Sequence, residues 1–232
     1  MLTVEASNQS APARASRLAA ALRGFGPVGL IAIVIILSGN ALVAPLSALL
    51  VIVWAHLSRT PWQEIGFGRP RSWTATIAGA ICVGILLKFV MKAIVMPLLG
   101  ADPVNQAVRH LTGNTAAIPT ALFALVIGAG FGEEVLFRGY LFERFGKLFG
   151  ESAVARTGTV LLTSAWFGLG HYGFQGVPGV QQATIVGLLF GTIYAVTGRL
   201  WFLIIAHAAF NLTAYVMIFW NLERDVAHLI FR

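Results

Sequence analysis

The stretch Glu133-Glu134-Val135-Leu136-Phe137-Arg138 sets three ionisable side chains directly after the apolar run 116–131. Ionisable groups near bilayer depth are costly and mark functional sites by default. On a helix, Glu134 and Arg138 are four residues apart and share a face, so they read as a pair. Glu133 is turned about 100° from its neighbour and faces elsewhere. One carboxylate is then held and the other is free for chemistry. The plainer alternative is a structural Glu–Arg pair tying two helices together. Three further polar side chains interrupt later apolar runs. His171 closes one, four residues after Phe167, and His207 and Asn211 share one helix face in the last. Each alone reads as interhelical hydrogen-bonding glue. As a set, two carboxylates, two histidines and an asparagine from three separate runs must all face inward. A base, its partner and donors for an oxyanion are the composition of a hydrolytic site.

Other candidates carry less. His56, His110 and His228 sit at run ends or in loops, where a solvated histidine implies no mechanism. Lys88 and Lys92 share one face near the end of a run and read as snorkelling to the headgroups. Cys82, in an apolar run, reads as an inert packing residue, and a single cysteine excludes an internal disulfide.

The elements that must position these residues are read from composition. Of 232 residues, 57% are hydrophobic and 11% charged, against about 25% charged in soluble domains. Mean hydropathy is +0.80. The continuous apolar runs predict an all-α polytopic transmembrane helix bundle of about seven spans, within a range of six to eight, and not a β-barrel. Residues 1–16 read as a disordered tail. Residues 17–115 form an N-terminal transmembrane region with an interfacial loop over 58–72, where Trp62, Phe67 and Trp73 alternate with arginines. Residues 116–220 form the core that carries the polar set, and 221–232 a short tail. The apolar stretch 27–57 is too long for one span, and Ser38-Gly39-Asn40 offers a turn within it, giving spans of about 20–38 and 41–57. A cleavable leader is disfavoured because no clean Ala-x-Ala site follows. The remaining spans are read at about 73–96, 116–137, 157–171, 180–196 and 200–220, with a turn over 173–179.

Orientation follows from counting basic residues. With the N-terminus cytoplasmic, the inner segments hold Arg14, Arg17, Arg23, Arg59, Arg69, Arg71, Arg138, Arg144, Lys147, Arg156 and Arg199; the outer ones hold Arg109, Arg224 and Arg232. This predicts an integral protein of a bacterial inner membrane, with Glu133–Arg138 toward the cytoplasmic half. The net charge of +7 is explained by cytoplasmic loops beside an anionic leaflet, and no basic run with interleaved aromatics points to nucleic acid. His-Glu-x-x-His and Gly-x-Ser-x-Gly are both missing.

Glu133-Glu134-x-x-x-Arg138, Phe167-x-x-x-His171 and His207-x-x-x-Asn211 resemble, in order, the motifs of the CAAX protease and bacteriocin-processing family of intramembrane proteases, often described as metalloproteases. Phe137-Arg138-Gly139, Thr197-Gly198-Arg199-Leu200-Trp201 and Trp62-Gln63-Glu64-Ile65-Gly66-Phe67 are similar to the family's surrounding segments. The resemblance implies an endopeptidase acting on membrane-associated peptides or proteins, prenylated CAAX-type tails or leader peptides among them. It implies that Glu133 activates water assisted by His171, that His207 and Asn211 form an oxyanion site or complete a metal site, and that Glu134 and Arg138 orient them. Zinc on Glu133, His171 and His207 is one option; glutamate-activated water without metal is the other. Two rival functions stay open. A proton-coupled transporter would use Glu133, His171 and His207 as a relay, and a non-catalytic adaptor or immunity protein would keep only the fold. Uptake by proteoliposomes would identify the first, and Glu133-dependent peptide cleavage the protease.

Overall fold

Apolar runs in this chain cannot leave backbone polar groups unpaired in lipid, which leaves helices as the available solution. The computed structural model describes residues 15–42 and 44–231, and every regular element among them is helical. The expected disordered tail falls outside the described residues except for Ala15 and Ser16, which already belong to the first helix.

Helix α1 (Ala15–Arg23) bends by 64° into α2. Next come α2 (Pro27–Leu42) and α3 (Ala44–Leu57), α4 (Trp73–Leu98) and α5 (Thr115–Phe149). They are followed by α6 (Ala153–Gly170), α7 (Tyr172–Thr197), α8 (Leu200–Phe219) and the short α9 (Glu223–Ala227). Among the described residues α4, α5, α7 and α8 are long and apolar enough to cross a membrane, and the bent α1–α2 pair makes a fifth candidate. Two expected spans fall outside that set. Helix α3 has only 14 residues, and α6 carries Arg156 and a polar stripe of Thr159, Thr163 and Ser164.

Helices α2 and α3 pack against each other, as expected for a hairpin in 27–57, but the residues expected to turn do not. Ser38, Gly39 and Asn40 are helical. Gly39 is instead a contact point, since a Cβ there would lie 3.0 Å from Leu50 and 3.1 Å from the Ser47 hydroxyl. Ser47 also donates to the Ile36 carbonyl at 2.5 Å. The expected turn at 173–179 proves to be a break inside α7. Gly176 adopts φ 62°, ψ −156°, and Pro178 follows it; that φ suits glycine, and proline restarts the helix.

Small residues set the closest approaches. A Cβ on Gly84 of α4 would stand 2.3 Å from the Ala206 carbonyl oxygen of α8, and one on Gly187 of α7 would stand 3.2 Å from Ser164 of α6. Close backbone contact of this kind holds helices together where no hydrophobic effect operates between them. Cys82 is exposed on the outer face of α4 rather than packed inside. The apolar stripe that packs is the opposite one, with Ala80, Gly84 and Lys88 buried.

The two ends of the bundle differ in charge. At one end Arg23 meets both oxygens of Glu64 at 3.2 Å, Lys147 reaches Glu64 at 3.6 Å, and Arg144 donates to the Arg23 carbonyl. The Trp62–Ile65 turn lies here, and the Gly66 carbonyl accepts from Leu200 N–H. At the other end Lys92 pairs with Glu223 at 2.8 Å, and Gly113 N–H donates to the Phe219 carbonyl.

Candidate active site

Helix α5 positions the two carboxylates, and its winding decides where they point. Over Ala124–Glu133 and again over Val135–Tyr140 it takes the wider π form, a distortion common at functional sites. Gly128, Gly130 and Gly132 line this segment, and a Cβ on Gly130 would lie 3.0 Å from Ala208 of α8. Wider winding advances each residue by less than the α-helical ~100°. Glu133 and Glu134 therefore diverge less than expected and reach the same imidazole.

That imidazole is His207. Its Nδ1 lies 2.7 Å from Glu134 Oε1, and its Nε2 lies 3.7 Å from Glu133 Oε2. Arg138 Nη1 donates to the same Glu134 oxygen at 2.9 Å, so the expected Glu134–Arg138 pair exists and is deeply buried. Arg138 Nη2 also donates to the Gly187 carbonyl at 3.4 Å. Its guanidinium stands 4.8 Å over Phe167 and 5.9 Å over Phe190. Because a carboxylate only accepts, Nδ1 of His207 carries the hydrogen and Nε2 is the atom turned toward Glu133. The same two rings pack edge-on against His207, at 6.1 Å and 5.8 Å, so the imidazole is held from both sides.

The two carboxylates differ in engagement. Glu134 has a side chain 0% exposed and one oxygen holding both Arg138 and His207, while Glu133 retains 19% exposure. Glu133 has no hydrogen-bond donor among the described residues, and its buried Oε2 is without a partner; Glu134 Oε2 shares that condition. His171 caps α6, where its Nδ1 donates to the Phe167 carbonyl at 2.8 Å. Its ring packs on Phe167 at 4.8 Å. Phe167 thus separates the two histidines while touching both.

Asn211 lies one turn beyond His207 and faces a cavity of about 1080 Å³. The cavity opens at the end of the bundle opposite the basic cluster, between the 101–111 segment, the start of α7 and the end of α8. Of the site residues expected from the sequence, Asn211 lines this cavity. Of the three candidate zinc ligands, Glu133 and His207 approach to 3.7 Å, while His171 turns its Nδ1 to the Phe167 carbonyl. Among the described residues no group of three His, Cys, Asp or Glu side chains could hold a metal ion.

Some participants were not legible as such. Lys88 is buried in the cavity wall, not snorkelling, and donates to Gln182 at 3.1 Å. Lys92 is likewise turned inward, to Glu223. The signal that could have found Lys88 is its spacing: it continues the Ala80–Gly84 packing stripe at four-residue intervals, which points it at α8.

Residues 113–213 match the family model described as type II CAAX prenyl endopeptidase Rce1-like. No curated protein and no solved structure matches the chain. The matched segment contains all three motifs and all six site residues, so the resemblance read from them is borne out there. The family is one of CAAX-type intramembrane endopeptidases, and the apolar helices fit an integral membrane protein.

Proposed function

We propose that this protein is an endopeptidase in which Glu133 activates water inside the membrane against membrane-associated peptides, prenylated CAAX-type tails or leader peptides. The observation that carries the proposal is a glutamate without a donor, 3.7 Å from His207 Nε2, beside a second glutamate whose engaged oxygen already serves Arg138 and His207. The nucleophile in this reading is a water held between Glu133 Oε2 and His207 Nε2. Glu133 takes a proton from that water, and the hydroxide adds to the scissile carbonyl carbon. The proton then passes from Glu133 to the departing amine as the tetrahedral intermediate collapses. The Asn211 amide supplies a donor to the oxyanion. His171, with Nδ1 committed to the Phe167 carbonyl, offers an Nε2 lone pair that assists the base.

Glu134 and Arg138 act by position. Glu134 fixes the His207 tautomer and ring plane, and Arg138 fixes Glu134. Following the positive-inside rule, we assign the basic end to the cytoplasm of a bacterial inner membrane. His207 then lies about 10 Å from that end, seven residues into α8.

The test compares membranes of cells carrying the wild type or Glu133→Ala by proteomics of peptide termini. Termini present only with the wild type, and peptides spanning them only with the variant, are expected. Identical terminal profiles, together with no Glu133-dependent cleavage of membrane peptides by the purified protein, would overturn the proposal.

A further inference from the structure

The large cavity contains a cation that the hydrolytic cluster does not use. Lys88 is 8% exposed. Its Nζ donates to Gln182 Oε1 at 3.1 Å and stands 4.9 Å over the Phe210 ring. Among the described residues no carboxylate lies within ion-pair distance of it. Lys92, one turn on, is different: Glu223 Oε1 is 2.8 Å away and also accepts from Asn105 N–H at 3.3 Å. Asp102, the other acid in the lining, is exposed at the rim, where its Oδ1 accepts from Val104 N–H. A buried ammonium held only by an amide oxygen and a ring face keeps much of its desolvation cost uncompensated. An anion entering the cavity supplies what it lacks.

The remaining lining says which anion. Five residues with carboxamide side chains line this space, Asn105, Gln106, Gln175, Gln182 and Asn211. Carboxamides donate and accept, which matches the alternating groups of a peptide backbone. A phosphate headgroup calls instead for several cations or a bidentate guanidinium, and no arginine lines the cavity among the described residues. Asn211 also joins the cavity to the site, one turn past His207 and next to the Phe210 ring beneath Lys88.

We infer that Lys88, positioned by Gln182, is a specificity-determining residue that holds the carboxylate of a peptide lodged in this cavity. Naming the occupant a peptide rests on the endopeptidase reading; the selectivity for a carboxylate requires no turnover.

The experiment uses the full chain in detergent, carrying Glu133→Gln so that nothing is cleaved. The probes are acetyl-alanyl-valyl-leucine as the free acid, the same compound as its C-terminal amide, and dihexanoyl phosphatidylglycerol. The acid is expected to bind about tenfold or more tighter than the amide, the range for one hydrogen bond to a charged group. Lys88→Met abolishes the difference, and Lys88→Arg retains it. Gln182→Glu also abolishes it, by giving Lys88 a permanent partner, and this variant keeps the test open if Lys88→Met fails to fold. Equal binding of acid and amide overturns the inference, as does discrimination that survives Lys88→Met or Gln182→Glu. Lys88-dependent binding of the lipid without any acid–amide difference overturns it in favour of a headgroup site. If the wild type cleaves no peptide while the acid–amide difference holds, the endopeptidase reading falls and the carboxylate site stands.

Discussion

Replacing Arg138 by methionine removes the one Lys or Arg cation that touches Glu134 among the described residues. Glu134 would keep His207 at 2.7 Å but lose the 2.9 Å contact that balances its charge, at a place with no exposure. At about 4 Å and an effective dielectric of about 20, one unit pair is worth about 4 kcal/mol. Breaking a buried pair from one side typically costs about 3–5 kcal/mol. The stacking of the guanidinium over Phe167 and Phe190 adds to this, although methionine retains part of the packing. For a chain of this length each kcal/mol shifts the midpoint by about 2–4 °C, so a drop of about 10 °C is expected for Arg138→Met in detergent. The double variant Arg138→Met, Glu134→Gln removes both charges and should recover most of that loss, because neutral replacement of a whole pair is often close to neutral in stability. Its peptidase activity should stay low, because a glutamine amide no longer fixes the His207 tautomer. Thermal midpoints of the four proteins close a double-mutant cycle, and cleavage of an identified substrate supplies the second readout. The reasoning is refuted if Arg138→Met melts with the wild type, or if the double variant is no more stable than the single one.

Three further outcomes are expected. Glu133→Gln should lower the cleavage rate by about 10²–10⁴-fold while the melting point holds or rises, since a carboxylate without a donor is replaced by an uncharged isostere; a variant that unfolds would make Glu133 a structural partner. Asn211→Ala should lower the rate by about 10²–10³-fold, the loss typical of one oxyanion donor, with an unchanged melting point; unchanged turnover would remove Asn211 from the site. Gly84→Ala should destabilise by about 1–3 kcal/mol, because its methyl would sit 2.3 Å from the Ala206 carbonyl oxygen; a melting point equal to the wild type would show that α4 and α8 can separate there without cost.

What the sequence made readable was the chemistry along single helices. The Glu134–Arg138 pair follows from four-residue spacing alone, and it forms. The all-helical class follows from continuous apolar runs, and it holds. What escaped was set by relations between helices or by departures from regular winding. Ser38-Gly39-Asn40, expected as a turn, is helical, and Gly39 serves packing against Ser47 and Leu50; turn chemistry and close packing select the same residue types. Lys88 reads as snorkelling when only its distance from the helix end is considered. It turns inward because Ala80 and Gly84 define the packed face it shares.

The opening ambiguity of the sequence was whether Glu-Glu-x-x-x-Arg is a structural pair or a site with a free base. The π-helical winding of α5 allows both at once. An α-helix would send adjacent glutamates to different neighbours; here they meet the two nitrogens of one imidazole, in unequal states. Glu134 accepts from Arg138 and His207 and is closed to solvent, which makes it a poor base and a good orienting group. Among the described residues Glu133 has only the distant His207 Nε2 beside it, and it has the larger exposure, which a purely structural pair would not need. A buried cation balanced by one carboxylate would already satisfy a static bundle, and the second carboxylate adds an uncompensated charge. The cost of that charge becomes intelligible if a proton moves across Glu133, water and His207 during each turnover, which is the reason for assigning the base to Glu133 and not to its neighbour.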